Sequence, residues 1–188
     1  AAPAPAASRV AGSNVLLRGL PGVGKSSVAR AVAEQVMSMG WTVRWASCGS
    51  DTDAAGVGKM WLGEDAPSSP SAIIGASDGP RTLLVLDEAQ ELHPRHAAGV
   101  AELLDEASPG SSSVLAVSRS PSPFGIPEGF AEFKLEGLAL EHARSLLPSD
   151  TDSTTARVVA EALGGHPLAL RLWSPDEEVP ERSEAVQE

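Results

Sequence analysis

Gly19-Leu20-Pro21-Gly22-Val23-Gly24-Lys25-Ser26 decides the reading of this chain. The octet satisfies the phosphate-binding loop pattern GxxxxGK followed by Ser or Thr, and it stands between an apolar, strand-like run and an amphipathic helical pattern. Backbone N–H groups of a glycine-rich turn converge on phosphate oxygens only where no side chain intervenes, and the helix that follows aims its positive N-terminal end at the same point. Gly22 and Gly24 supply the bare backbone, Lys25 an ammonium for the outer phosphates, and Ser26 a hydroxyl for a bridging magnesium ion. Lysine is scarce here, at Lys25, Lys59 and Lys134 alone, so composition does not explain a lysine at the required place. The stretch predicts a nucleoside triphosphate site.

Outward from the loop, strand-like runs occur at Asn14 to Arg18, Trp41 to Cys48, Thr82 to Leu86, Ser113 to Ser118 and Glu132 to Leu135. Continuous apolar runs such as Leu83-Leu84-Val85-Leu86 suit strands covered on both faces, as in a parallel sheet flanked by helices. Val28, Val32, Val36 and Met39 form a stripe at helical spacing, with Gly40 placed for a left-handed cap, so residues 25–39 are expected to be helical. Pro94 fits the first turn of another helix, with Val100, Ala101 and Leu104 on its face, running to about Ala107 before Ser108-Pro109-Gly110. Residues 49–80 are rich in Gly, Ser, Asp and Pro and read mostly as loop, with one short helix near Lys59 to Leu62. Alternating strands and helices with a glycine turn after the first strand predict a three-layer α/β domain.

Leu83-Leu84-Val85-Leu86-Asp87-Glu88 has the form of a buried strand that delivers two carboxylates to its exposed C-terminal edge, where ligands of such sheets bind. Asp87 would hold the magnesium ion, and Glu88 would orient and deprotonate an attacking water. Two solvated acids at a strand end are the simpler reading of that pair alone; the phosphate loop upstream favours the catalytic one. Ser113-Val114-Leu115-Ala116-Val117 likewise ends in Ser118-Arg119-Ser120, and the Arg119 guanidinium can make paired hydrogen bonds to a terminal phosphate, or simply lie exposed in a Ser/Pro loop. Ala162-Leu163-Gly164-Gly165-His166-Pro167-Leu168-Ala169-Leu170 is a fourth element, a helix stop and restart on its own terms.

Taken in order, GLPGVGKS, LLVLDE, VLAVSRS and GGHPLAL resemble the STAND class of signal-transduction P-loop NTPases, relatives of the AAA+ ATPases, over about residues 14–173. Within that class the set is similar to the nucleotide-binding modules of large LuxR-type bacterial transcription activators and their NB-ARC-like cousins. The resemblance implies a P-loop NTPase with a parallel five-stranded sheet, residues 14–137, followed by a small helical lid, residues 138–173. It also implies that Pro167 lies against the base or sugar of the nucleotide, with His166 at a variable place. Residues Asp152 to Leu163 would form a lid helix with Val158, Val159, Ala162 and Leu163 as its apolar face. The nucleotide-contacting set would be Gly19, Leu20, Pro21, Gly22, Val23, Gly24, Lys25, Ser26, Ser27 and Pro167. The magnesium ligands would be Ser26 and Asp87, and Lys25, Glu88 and Arg119 would carry the chemistry. Residues 1–13 carry no Gly-Arg-rich adenine-binding segment of the kind usual in the class, and no winged helix or repeat array follows residue 173, so the chain is expected to be an excised module or a reduced protein.

Composition narrows the function further. The chain has 188 residues, 42% of them hydrophobic, enough for one α/β domain with a small appendage. The net charge of −11 opposes nonspecific attraction to nucleic-acid phosphates or anionic membranes, so no direct nucleic-acid or membrane partner is expected. Residues 1–13, rich in Ala, Pro and Ser, and the acidic residues 174–188 read as flexible. Cys48, the single cysteine, reads as a packed thiol, and no signal-peptide pattern is present, so a cytoplasmic setting is expected. His93 and His96 stand at metal-site spacing without a third ligand nearby and read as a solvated helix start.

These readings converge on a module that binds ATP or ADP with Mg2+, hydrolyses ATP slowly and acts as a switch in a signalling or transcriptional regulator. Its partners would be other domains of a larger regulator or further copies of itself. Two alternatives stay open: an oligomeric AAA+-type ATPase, which the sequence Asp87-Glu88-Ala89-Gln90 also suits, and a nucleotide-gated interaction module without turnover.

Overall fold

The structure, a computed structural model, describes residues 13–79, 81–107 and 112–175. The expected flexible ends therefore fall almost entirely outside the described residues, as does the Ser108-Pro109-Gly110 helix stop. Five strands, β1 (Asn14–Gly19), β2 (Thr42–Ser47), β3 (Thr82–Asp87), β4 (Ser112–Ser118) and β5 (Phe130–Leu135), form one sheet in the order β2-β3-β4-β1-β5. The predicted parallel five-stranded sheet is met: Trp45 pairs with Val85, Val85 with Leu115, and Leu16 with Ala116. Every residue of β3 and β4 is buried, which is why these central strands read as unbroken apolar runs. Buried Asn14 is a polar exception with both ends of its amide engaged. Its Nδ2 donates to the Ala107 carbonyl, and its Oδ1 accepts from Val114 N–H at 3.0 Å, tying the start of β1 to β4. Arg18 on β1 pairs with Glu132 on β5.

Four helices pack on this sheet: α1 (Lys25–Ser38), α2 (Ala54–Leu62), α3 (Pro70–Ser77) and α4 (Pro94–Asp105). The stripe expected on α1 is displaced. Ala29, Val32, Ala33 and Val36 are the buried residues, Val28 is half-buried and Met39 is 57% exposed. In a helix this rich in alanine, small residues cover the sheet as readily as valines do. Gly40 does close the helix in the left-handed region (φ 81°), with Trp41 N–H bonded to the Val36 carbonyl at 3.0 Å.

The largest departure lies in residues 49–80, expected to be mostly loop, which contain α2 and α3. Asp53 caps α2 by accepting from Gly56 N–H at 2.8 Å, and Pro70 opens α3 at its first turn. The glycines that argued against a helix serve its packing. A Cβ on Gly58 would lie 2.8 Å from Ile73 Cδ1, so only glycine lets α3 approach α2 this closely. Trp61 on α2 is buried and donates its indole N–H to the Val85 carbonyl at 3.0 Å. It joins Leu16, Ile73, Leu84, Leu86, Val100, Leu103 and Leu104 in the main core.

The chain divides into two compact units, one of residues 1–18 and 25–134, the other of residues 19–24 and 135–188. The second unit holds the short helix α5 (Leu140–Ala143), α6 (Ser153–Ala162) and α7 (Pro167–Leu172). Its core is Ala143, Leu147, Ala156, Val159, Ala160, Leu170 and Trp173. The buried face of α6 is thus Ala156, Val159 and Ala160, while Val158, expected inside, is 41% exposed, and Ala162 and Leu163 are only partly covered. Asp152 caps α6, accepting from Thr154 N–H at 2.9 Å and Thr155 N–H at 3.1 Å. Among the described residues no helix is long and apolar enough to cross a membrane.

Candidate functional site

In the first unit the predicted site residues gather where α1 begins and β3 and β4 end. Lys25 opens α1 and is only 8% exposed. Burial first, and then the Arg119 guanidinium, hold its ammonium below the usual lysine range, while Asp87 pulls the other way. Ser26 Oγ donates to Asp87 Oδ1 at 3.0 Å, and the same oxygen accepts from Glu88 N–H at 2.9 Å. Asp87 is 4% exposed at the end of β3, and these two hydrogen bonds, both to Oδ1, hold its carboxylate in place. Ser27, the next residue of α1, is exposed.

Glu88 leaves the strand in the left-handed region, at φ 57° and ψ 33°, with its side chain exposed. Such a conformation costs a non-glycine residue on the order of 1 kcal/mol, and strained residues of this kind concentrate at functional sites. The turn it starts, Ala89–Glu91, brings in two side chains that sequence reading missed. Gln90 accepts from Arg119 N–H at 3.1 Å, and Glu91 Oε1 lies 3.3 Å from the Arg119 guanidinium. Arg119 is therefore neither a loose loop arginine nor free of protein partners; it is moored to the turn after β3. Gln90 stands in the Asp87-Glu88-Ala89-Gln90 run, which gives it no role of its own, and Glu91 stands in no pattern that would have marked it.

Cys48 follows β2 and donates its N–H to the Asp87 carbonyl at 2.9 Å. Burial, with Asp87 and Glu88 adding to it, pushes its thiol up to about 12, so the group stays a packed thiol, as read. His93 caps α4, its Nδ1 accepting from Arg95 N–H at 3.2 Å, and no cluster of metal-ligating groups exists among the described residues.

In the second unit, residues 19–24 lie with the segment that carries Pro167. Gly22 (φ 75°) and Gly24 (φ 100°) both need left-handed backbone, but they differ in surroundings. A Cβ on Gly24 would meet nothing within 4 Å; one on Gly22 would lie 2.8 Å from Leu168 Cδ2 and 3.1 Å from His166 Cε1. Pro167 is the first residue of α7 and His166 its cap, and His166 Nε2 stands 2.8 Å from the Pro21 carbonyl oxygen. Val23 is buried, and its N–H bonds the Leu20 carbonyl at 3.3 Å.

A Ser–Asp pair at the C-terminal edge of a parallel sheet, its serine in the first turn of a helix that a glycine loop precedes in sequence, defines a P-loop NTPase. The model of the ATPase family associated with various cellular activities (AAA) matches residues 15–129, more than half of the chain, and the chain belongs to that family. No curated protein matches it by sequence. Among solved structures it is similar to the STAND protein with a tetratricopeptide repeat sensor from Pyrococcus horikoshii, with a TM-score of 0.70 and 17% identity over 95% of this chain. It is also similar to a point variant of RuvB from Thermotoga maritima, with a TM-score of 0.52 and 16% identity over 85% of this chain. The chain spans 30% of the length of the first and 52% of the second.

Proposed function

We propose that this AAA-family module binds Mg-ATP, hydrolyses it slowly and serves as a nucleotide-dependent switch within a signalling or transcriptional regulator. The observation that carries the reading is the Ser26–Asp87 hydrogen bond at 3.0 Å, directly after the glycine loop and directly before Glu88. Magnesium takes oxygen ligands, and a hydroxyl beside a nearly buried carboxylate is a donor set of that chemistry, so Ser26 and Asp87 would hold the ion. When bound, it would offset charge on the β- and γ-phosphates.

The chain's own groups divide the remaining work. Gly22 and Gly24, with the backbone of Lys25, Ser26 and Ser27, would offer N–H groups to phosphate oxygens. The desolvated Lys25 ammonium, crowded by Arg119, is favoured by an arriving anion. Glu88 accepts a proton from water as its oxygen bonds the γ-phosphorus and the bond to the β–γ bridging oxygen breaks, leaving ADP and phosphate. Arg119, exchanging Glu91 for phosphate, would report whether the γ-phosphate is present. Pro167 would pack against the base or sugar, and residues 138–173 would act as the lid whose state follows the nucleotide.

An assembling ATPase is the second reading, supported by the match of the AAA family model to residues 15–129 and by the Asp87-Glu88-Ala89-Gln90 sequence. Equilibrium binding of a fluorescent ATP analogue and single-turnover hydrolysis test the proposal together. Lys25→Ala should abolish tight binding, and Glu88→Gln should spare binding while removing turnover. Unchanged affinity in Lys25→Ala would sink the nucleotide site, and turnover rising steeply with protein concentration would favour assembly.

A further inference from the structure

We propose that His166 is a positioning residue for the phosphate loop, acting through the Pro21 carbonyl. Its importance for binding rests on the nucleotide reading above, but its geometry does not. Nδ1 of His166 accepts from Ala169 N–H at 3.3 Å, and a backbone N–H can only donate. The proton of the neutral ring therefore sits on Nε2, which donates to the Pro21 carbonyl oxygen at 2.8 Å. Both ring nitrogens are matched to partners whose roles are fixed, so one tautomer satisfies the whole arrangement.

The consequence reaches the loop through peptide geometry. The Pro21–Gly22 peptide is not among the cis bonds of the described chain, and in a planar trans peptide the C=O and the following N–H point in opposite directions. Holding the Pro21 oxygen on His166 turns the Gly22 N–H to the other side. Gly22 is held from that same wall, since the position of its missing Cβ is filled by Leu168 Cδ2 at 2.8 Å and Leu168 Cβ at 2.9 Å. A glycine loop left alone samples many backbone states, and ordering it on ligand arrival subtracts from affinity. His166 and Leu168 meet part of that ordering before any ligand binds.

Two substitutions separate the latch from the cap. His166→Asn keeps a side-chain acceptor for Ala169 N–H, because asparagine is a strong N-cap, but is too short to reach Pro21. His166→Gln has the longer reach and can donate to Pro21. Amide hydrogen exchange of residues 19–24 in the nucleotide-free full chain, thermal melting and affinity for a fluorescent ADP analogue are measured on all three proteins. The expected result for His166→Asn is an unchanged melting temperature, exchange of the loop about five-fold faster and affinity about five-fold weaker, the scale of one neutral hydrogen bond, with part of both restored by His166→Gln. Loop exchange equal to the native protein overturns the proposal. So does faster exchange spread through residues 135–175 with a lowered melting temperature, which would make His166 a structural cap only. If the native protein does not bind the analogue, the nucleotide reading fails, and the exchange measurement still decides the latch.

Discussion

Gly58→Ala should destabilise the protein, although the same exchange inside an ordinary exposed helix stabilises it. In a helix interior alanine is favoured over glycine by about 1 kcal/mol. Against that gain, the new methyl would fall 2.8 Å from Ile73 Cδ1 and 2.9 Å from Ile73 Cγ1. Ile73 is fully buried, and its branched side chain has one preferred χ1 in a helix, so it cannot swing clear. Overpacking of this kind costs roughly 1–3 kcal/mol, which leaves a net loss of about 1 kcal/mol. The test is a double-mutant cycle with Ile73→Ala, read by urea unfolding followed by far-UV circular dichroism. Ile73→Ala alone removes buried carbons and costs about 2–5 kcal/mol. In that background the clashing atoms are gone and the cavity welcomes a methyl, so Gly58→Ala should become stabilising by about 1 kcal/mol, a coupling of about 2 kcal/mol. If Gly58→Ala stabilises the native sequence, or if the two effects simply add, the close approach of α3 to α2 is not what the glycine is for.

Ser26→Ala should leave nucleotide affinity in EDTA nearly unchanged while erasing most of the gain on adding Mg2+, about ten-fold for loss of one charge-assisted contact; isothermal titration with and without the ion reads it. A Mg2+ gain that survives intact would remove Ser26 from the ligand set. Asp152 supplies a pH dependence. Its carboxyl is held below the usual range first by its hydrogen bonds with Thr155, then by that with Thr154 N–H. Because the folded-state value is the lower one, the contribution is fully present above the ordinary carboxyl range and is lost as pH falls through the folded value. Asp152→Asn keeps the cap without the charge, so its acid melting curve should lack that part of the slope. Identical curves for the two proteins would refute the assignment.

How far the sequence speaks for the fold depends on how strongly each segment is buried. β3 and β4 were legible because every position is covered, which leaves no room for polar interruptions except at their ends. α2 and α3 were not, since glycine and serine are poor helix formers in isolation and the reward, contact with Ile73, comes from a segment fifteen positions away. Val158 and Met39 were misplaced for a different reason: in an alanine-rich chain both sides of a helix look apolar, and Ala156, Ala160, Ala29 and Ala33 took the inside. Within the candidate site, Lys25, Ser26, Asp87 and Glu88 could be singled out because their spacing is the one that phosphate and metal chemistry asks for, and the structure brings Ser26 to Asp87. Gln90, Glu91 and His166 act through particular side-chain reach, which no local spacing encodes. One signal was available. His93-Pro94 and His166-Pro167 are both histidine followed by the proline that opens a helix, and in both the ring nitrogen Nδ1 caps it.

The two buried indoles give each unit its own optical signature. Trp61 lies in the core of the first unit with its N–H bonded to the Val85 carbonyl, whereas Trp173 lies in the core of the second, where its N–H meets no hydrogen-bond acceptor among the described residues. Trp41 and Trp45 are only half-buried. Replacing those two with phenylalanine, and then either buried tryptophan in turn, yields a pair of single-emitter proteins in which heating or nucleotide addition can be watched one unit at a time.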